Sequence, residues 1–70
     1  MLRQVVESSS LRSIGYDRAT ATLEVEFKNG GVYRYANVPK ELWSAFRDSD
    51  SKGKFFLDQV RDRFPPTRVS

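Results

Sequence analysis

Seventy residues, 39% hydrophobic and 30% charged, with neither cysteine nor histidine, leave room for one core and exclude several kinds of chemistry. A chain of this size buries only about 60% of the surface its unfolded form exposes, so it folds near the lower limit for a single core. Without cysteine there is no disulfide or thiolate, and without histidine the commonest zinc ligands and the usual general base near neutral pH are missing.

Twelve Lys and Arg against nine Asp and Glu give a net charge of +3, with the signs interspersed, a mild bias toward acidic partners. The longest apolar run is Phe55-Phe56-Leu57. No membrane span or secretory signal is therefore expected, and the cytoplasm is the expected location.

Residues 1–10 end in the polar stretch Glu7-Ser8-Ser9-Ser10 and read as a lead-in. From Leu11 the pattern alternates: Ile14, Tyr16, Ala21, Leu23, Val25 and Phe27 share one face, and Thr20, Thr22, Glu24, Glu26 and Lys28 the other. That is the period of half-buried strands. A short turn at Asp17-Arg18-Ala19-Thr20, with Asp17 facing Thr20, would set Ile14 against Leu23 and Tyr16 against Ala21.

At Asn29-Gly30-Gly31 a two-residue turn would put Tyr33 and Tyr35 on the polar face. A three-residue loop with a left-handed glycine puts Phe27 against Tyr33, Val25 against Tyr35 and Glu26 against Arg34. The second choice buries two aromatics and pairs opposite charges, each such pair contributing about 0.2–1 kcal/mol over alanine. Strands are predicted near 11–17, 20–28 and 32–37.

Pro39 suits the first helical position and Glu41 the first turn, predicting a helix over 39–47 with Leu42, Trp43, Ala45 and Phe46 on its apolar face. After Asp48-Ser49-Asp50-Ser51, either Ser51 or Asp50 can cap a second helix striped by Phe56, Leu57, Val60 and Phe64, which Pro65-Pro66 ends. Both helices need the same sheet face. The predicted fold is α+β: a three-stranded antiparallel meander with two C-terminal helices on one face, and a loosely held tail over 65–70. Its core would hold Ile14, Tyr16, Leu23, Val25, Phe27, Tyr33, Tyr35 and Val38 from the sheet side, and Leu42, Trp43, Phe46, Phe56 and Val60 from the helices.

Three groups of residues bear on function. Ser51-Lys52-Gly53-Lys54 places a helix start, a glycine and two lysines together, an arrangement that stabilises an anion, with Arg61 from later turns as a helper. The P-loop pattern is not met, because Asp48 stands where its first glycine belongs. Tyr33-Arg34-Tyr35 is a candidate stacking platform for nucleic-acid bases, although the register argument favours a core pair with Arg34 turned outward. Glu24 and Glu26 could hold a metal or act as an acid–base pair, but a solvated face balanced by Lys28 and Arg34 accounts for them more simply. No convergent catalytic set exists, and neither an enzyme activity, a cofactor nor a metal is expected.

Taken together, Ser8-Ser9, Ile14-Gly15-Tyr16-Asp17, Thr22-Leu23-Glu24-Val25-Glu26-Phe27, Asn29-Gly30, Tyr33-Arg34-Tyr35, Val38-Pro39 and Ser51-Lys52-Gly53-Lys54-Phe55-Phe56 resemble the KTSC domain, over about Val6 to Phe64. That family is named for its occurrence at the C-terminus of some lysyl-tRNA synthetases, and it also occurs as small stand-alone bacterial and phage proteins. The resemblance implies one domain over 1–70 and a role in RNA binding, without an established activity.

The expected function is a non-enzymatic module that binds RNA or another phosphate-bearing ligand through Ser51, Lys52, Gly53, Lys54 and Arg61, with Arg34, Tyr33 and Tyr35 toward bases. The alternatives are a pocket that sequesters a nucleotide or cyclic nucleotide, and a protein-interaction or homo-oligomeric module built on open sheet edges.

Overall fold

The computed structural model describes residues 3–69. In chain order the elements are β1 (Arg3–Val5), β2 (Leu11–Asp17), β3 (Thr22–Phe27), β4 (Val32–Tyr35), α1 (Lys40–Asp48), α2 (Lys52–Gln59) and β5 (Pro66–Arg68). The α+β class and the two helices are as expected, but the sheet has five antiparallel strands in the order β1-β2-β3-β4-β5, not three. Part of the lead-in has become β1 and part of the tail β5, each three residues long and exposed throughout. Pro66 is tolerated there because an edge strand has one side on which no N–H is needed.

Both hairpins keep the expected inward face but with partners shifted by two residues. The first loop spans residues 18–21 because the backbone N–H of Ala19 donates to Asp17 Oδ1 and Ala21 turns left-handed (φ 55°). Asp17 therefore faces Thr22, Tyr16 faces Leu23, and Ile14 faces Val25. The second hairpin does use a three-residue loop with a left-handed glycine, but over Lys28-Asn29-Gly30, with Gly30 at φ 99° and the Phe27 N–H donating to the Gly31 carbonyl at 2.8 Å. Val25 thus faces Tyr33, Leu23 faces Tyr35, and Glu24, rather than Glu26, faces Arg34. Shifts of two preserve side-chain parity, which is why the core survives both corrections.

A bulge between Leu11 and Ser13 breaks that parity once. Strict alternation from Ile14 and Tyr16 would send Leu11 to the uncovered face; the extra residue returns it to the core, where it is fully buried. Leu11 and Val32 are buried residues absent from the predicted core. Of the residues that were predicted, Tyr16, Phe27, Tyr33 and Leu42 pack against the core only partly buried.

Helix α1 begins one residue later than expected, with Pro39 as its N-cap, extended at φ −62° and ψ 146°. Trp43 and Phe46 are its buried anchors. Trp43 stacks on Tyr16, with centroids 5.5 Å apart, and the Tyr16 hydroxyl donates to the Val38 carbonyl, pinning the β4–α1 connection. Helix α2 is capped by the Ser51 side chain and ends at Gln59, earlier than the prolines require. The departure comes at fully buried Val60, whose φ of −119° breaks the helix while a turn carries the chain to Phe64.

The helices cover one sheet face. On the other, Arg3, Gly15, Glu24, Arg34 and Thr67 lie in one row across all five strands. Glu24 is not the solvated carboxylate the alternation suggested. It is only 7% exposed, and takes Arg34 Nε at 2.8 Å and Arg3 Nε, reaching across β2, at 3.2 Å. Glu26 accepts from the Ser13 hydroxyl at 2.9 Å. A buried carboxylate held by two guanidiniums is costly to break from one side. Glu24→Gln should lower stability by about 1–3 kcal/mol in urea unfolding, Arg3→Ala should lower it by less, and the pair should show a coupling of about 0.5 kcal/mol or more.

Burial raises the phenol pKa of both Tyr16 and Tyr35, with the carboxylate of Glu41 adding to the first and the neighbouring Tyr33 to the second. A pKa raised in the folded state supplies stability that is intact below the unfolded value near 10 and is lost as pH rises through the folded value. The urea midpoint should accordingly fall above about pH 10, and the fall should flatten in a Tyr16→Phe, Tyr35→Phe double variant.

Candidate functional site

A groove of about 380 Å³ opens between α2 and the β4–β5 side of the sheet. Its floor is aromatic: Phe27 and Tyr33 from the β3–β4 hairpin, Tyr35, and Phe56 from α2. These rings fix one another edge to face, Phe56 against Phe27 (5.3 Å) and Tyr35 (5.5 Å), and Phe27 against Tyr33 (5.7 Å). The rim carries polar groups from three separate segments: Ser10, Asn29 and Arg61. Pro66 and Leu57 complete the walls, so β5 helps to build the groove.

Tyr35 gives the groove its chemical character. The residue is 4% exposed, yet its hydroxyl donates to and accepts from no described residue, and no buried side-chain oxygen among the described residues is left without a partner. The hydroxyl therefore keeps some access to solvent, while the ring belongs to the core and lines the groove. A buried phenol ordinarily finds a partner inside the protein. Here the partner must come from solvent or from a ligand. Tyr33 is half-buried, and the Arg68 guanidinium lies 5.9 Å from its ring centroid.

Ser51, Lys52, Gly53 and Lys54 lie beside this groove and share Gly53 with it. With Asp50 they form one side of a second cleft, about 310 Å³, whose other side is Glu7, Ser8, Ser9 and Ser10, so two carboxylates stand beside the lysines. Gly53 is small for a packing reason: a Cβ there would stand 3.3 Å from Ser8 Oγ and 3.4 Å from Ser10 Oγ. The Ser51 hydroxyl caps α2 by accepting from the Lys54 N–H at 3.4 Å. The ammonium of Lys52 turns back to the Ser49 carbonyl, and the side chain of Lys54 is exposed.

Of the eight residues singled out in the sequence, Tyr33, Tyr35, Gly53 and Arg61 line the groove, and Ser51, Lys52 and Lys54 adjoin it. Arg34 does not join them. Strand alternation turns it to the uncovered face, where it is held by Glu24. Sequence reasoning missed Ser10, Asn29 and Pro66. Asn29 read only as a turn former, and its Oδ1 does accept from the Gly31 N–H at 2.9 Å. No group of three or more His, Cys, Asp or Glu side chains among the described residues could hold a metal ion. No helix among them is long and apolar enough to cross a membrane.

The fold recurs in known proteins. The crystal structure of a KTSC domain protein from Yersinia pestis superposes with a TM-score of 0.95 and 36% sequence identity, covering 99% of this chain and 97% of that one. An uncharacterised protein of Stutzerimonas stutzeri is 50% identical over 56 residues, 80% of this chain and 79% of that protein. A lysine–tRNA ligase of Nostoc punctiforme is 33% identical over 64 residues, which are 91% of this chain but only 11% of the ligase. With the KTSC domain model matching residues 7–64, a span that holds both clefts apart from Pro66, the chain belongs to the KTSC domain family.

Proposed function

We propose that this protein is a non-enzymatic binding module for single-stranded RNA, taking one base into the aromatic groove and leading the adjoining phosphates along Arg61 and Lys54. The observation that carries the reading is the hydroxyl of Tyr35, unpartnered at the end of a ring that is otherwise core. Aromatic floors suit bases because every base has a π-face, and stacking contributes about 1–3 kcal/mol per base. No carboxylate lines the groove itself and the chain carries a net charge of +3, which favours a polyanion there, while Glu7 and Asp50 beside Lys54 weaken the attraction in the adjoining cleft. The presence of a similar segment in lysine–tRNA ligases agrees with a role near RNA. Phosphate contact falls to Lys54 and Arg61, since Lys52 is engaged with Ser49 and Arg34 with Glu24 on the far face.

Titration of a fluorescently labelled single-stranded RNA tests this. With about two or three phosphate contacts, affinity should fall roughly tenfold between about 50 and 200 mM salt. Tyr33→Ala should weaken binding by about 1–3 kcal/mol while circular dichroism stays native. A Lys54→Ala, Arg61→Ala double variant should flatten the salt dependence. No binding at low salt, or binding indifferent to all three substitutions, would reject the reading.

A free nucleotide is the second reading, favoured by the volume of the groove, which lies within the roughly 300–1,000 Å³ of small-molecule pockets. Calorimetry with mono- and cyclic nucleotides separates the two: a nucleotide that binds as tightly as an oligonucleotide would replace RNA as the ligand.

A further inference from the structure

We infer that two copies of this chain pair edge to edge through β1, antiparallel about a two-fold axis at Gln4, to make one sheet of ten strands, five from each copy. The inference stands apart from the RNA reading, because β1 lies at the sheet edge opposite β5 and the groove stays open in the pair.

The two edges of the sheet differ in what they leave open. On β5, the Val69 N–H donates to the Val32 carbonyl at 2.8 Å, so alternation turns the backbone groups of Thr67 toward β4 and those of Pro66 and Arg68 outward. Pro66 has no N–H, and a proline on the outer side blunts that edge as a template for another strand. On β1, the Val6 N–H donates to the Arg12 carbonyl at 3.1 Å. Gln4 therefore faces β2, and the N–H and C=O of both Arg3 and Val5 face outward. A charged side chain is the other common protection of an edge. Arg3 gives little of it, because its guanidinium is drawn inward over β2, with Nε 3.2 Å from Glu24 and Nη1 4.0 Å from Glu26. Its charge is balanced there. Next along the same face of the strand, Val5 is 83% exposed, more than Leu57 or Val69.

A second copy is the occupant that fits, because β1 is complementary to itself. With Gln4 opposite Gln4 of the second copy, Arg3 of each falls opposite Val5 of the other, and every outward N–H and C=O of the strand is paired. Centring the pair on Arg3 or on Val5 would pair only half of those groups within the strand, and the first would also set like charges face to face. In the Gln4 register the aliphatic stem of each Arg3 lies along the other copy's exposed Val5. The two Gln4 amides, each with a donor end and an acceptor end, meet on the opposite face. A strand of three residues per copy is much smaller than the interfaces of about 1,200–2,000 Å² that hold stable complexes, so the pair is weak, with a Kd of about 0.1–1 mM.

Sedimentation velocity on the intact protein, from about 20 µM to about 2 mM, should show a monomer passing into a dimer. Val5→Pro removes an outward N–H that the monomer does not use, and should raise the dimer Kd at least about tenfold with a native circular dichroism spectrum. Should Val5→Pro not fold, Val5→Lys takes its place, setting an ammonium against Arg3 of the second copy, and should weaken the dimer likewise. The register has its own test, because the chain has no cysteine. Gln4→Cys brings two thiols opposite each other at a non-hydrogen-bonded position, with Cα atoms about 4.5 Å apart and within disulfide reach. In Val5→Cys the two thiols are diagonal neighbours about 7–8 Å apart, beyond that reach. Under mild oxidation Gln4→Cys should give a covalent dimer much faster than Val5→Cys. A monomer at every concentration would overturn the inference. So would a dimer that neither Val5 substitution weakens, which would use another surface, and so would faster cross-linking at Val5 than at Gln4.

Discussion

A sheet of five strands with two short helices can cover only one of its faces, and the rest of this protein follows from that constraint. The helices of nine and eight residues supply Trp43, Phe46 and Phe56 to a core centred on Ile14, Leu23, Val25 and Tyr35. Nothing remains to shield the opposite face, where a second apolar layer would be left in water. The sequence places charge there and then withdraws Glu24 from solvent beneath two guanidiniums, so that β1, β3 and β4 are tied by ionic contacts on the side where apolar contacts are unavailable. The same shortage of helix leaves the aromatic floor between α2 and β5 open. The groove is the part of the covered face that the helices do not reach.

How far this was legible from the sequence depended on whether the controlling interaction was local. Alternation in residues 22–27, the left-handed glycine after Asn29 and the Ser51 cap are each set by a few neighbouring residues, and each is found in the structure, with the loop displaced by one residue. Strands β1 and β5 carry no such mark. Each has three exposed residues, one contains a proline, and each is added at an open sheet edge, β1 beside the next strand in sequence and β5 beside one more than thirty residues earlier. The hairpin partners slipped by two residues because the loops, rather than the apolar pattern, decide between registers of equal parity. Leu11 was lost to the bulge, which changes the phase of the strand without changing its composition.

The site was legible in the same uneven way. Tyr33, Tyr35, Gly53 and Arg61 were noticed for their own chemistry and do meet at one groove, whereas Arg34 was grouped with the tyrosines by adjacency and alternation carried it to the other face. Asn29 escaped notice because its turn-forming role accounts for it fully within the hairpin, although it also lines the groove. Tyr35 joins the two halves of the account. Its ring is packed with Phe56 and cannot be moved without disturbing the core, so the hydroxyl is presented from a rigid mount.

The first and last strands form opposite edges of the sheet, so β1 and β5 lie about 19 Å apart, the span of four strand spacings. Their surroundings differ. A segment fused before β1 departs from the margin remote from the groove, whereas one fused after β5 departs beside Pro66, on the wall of the groove itself. Labels and carrier proteins are thus not interchangeable between the termini: the amino end leaves the aromatic floor unobstructed, and the carboxyl end places whatever follows at its doorstep.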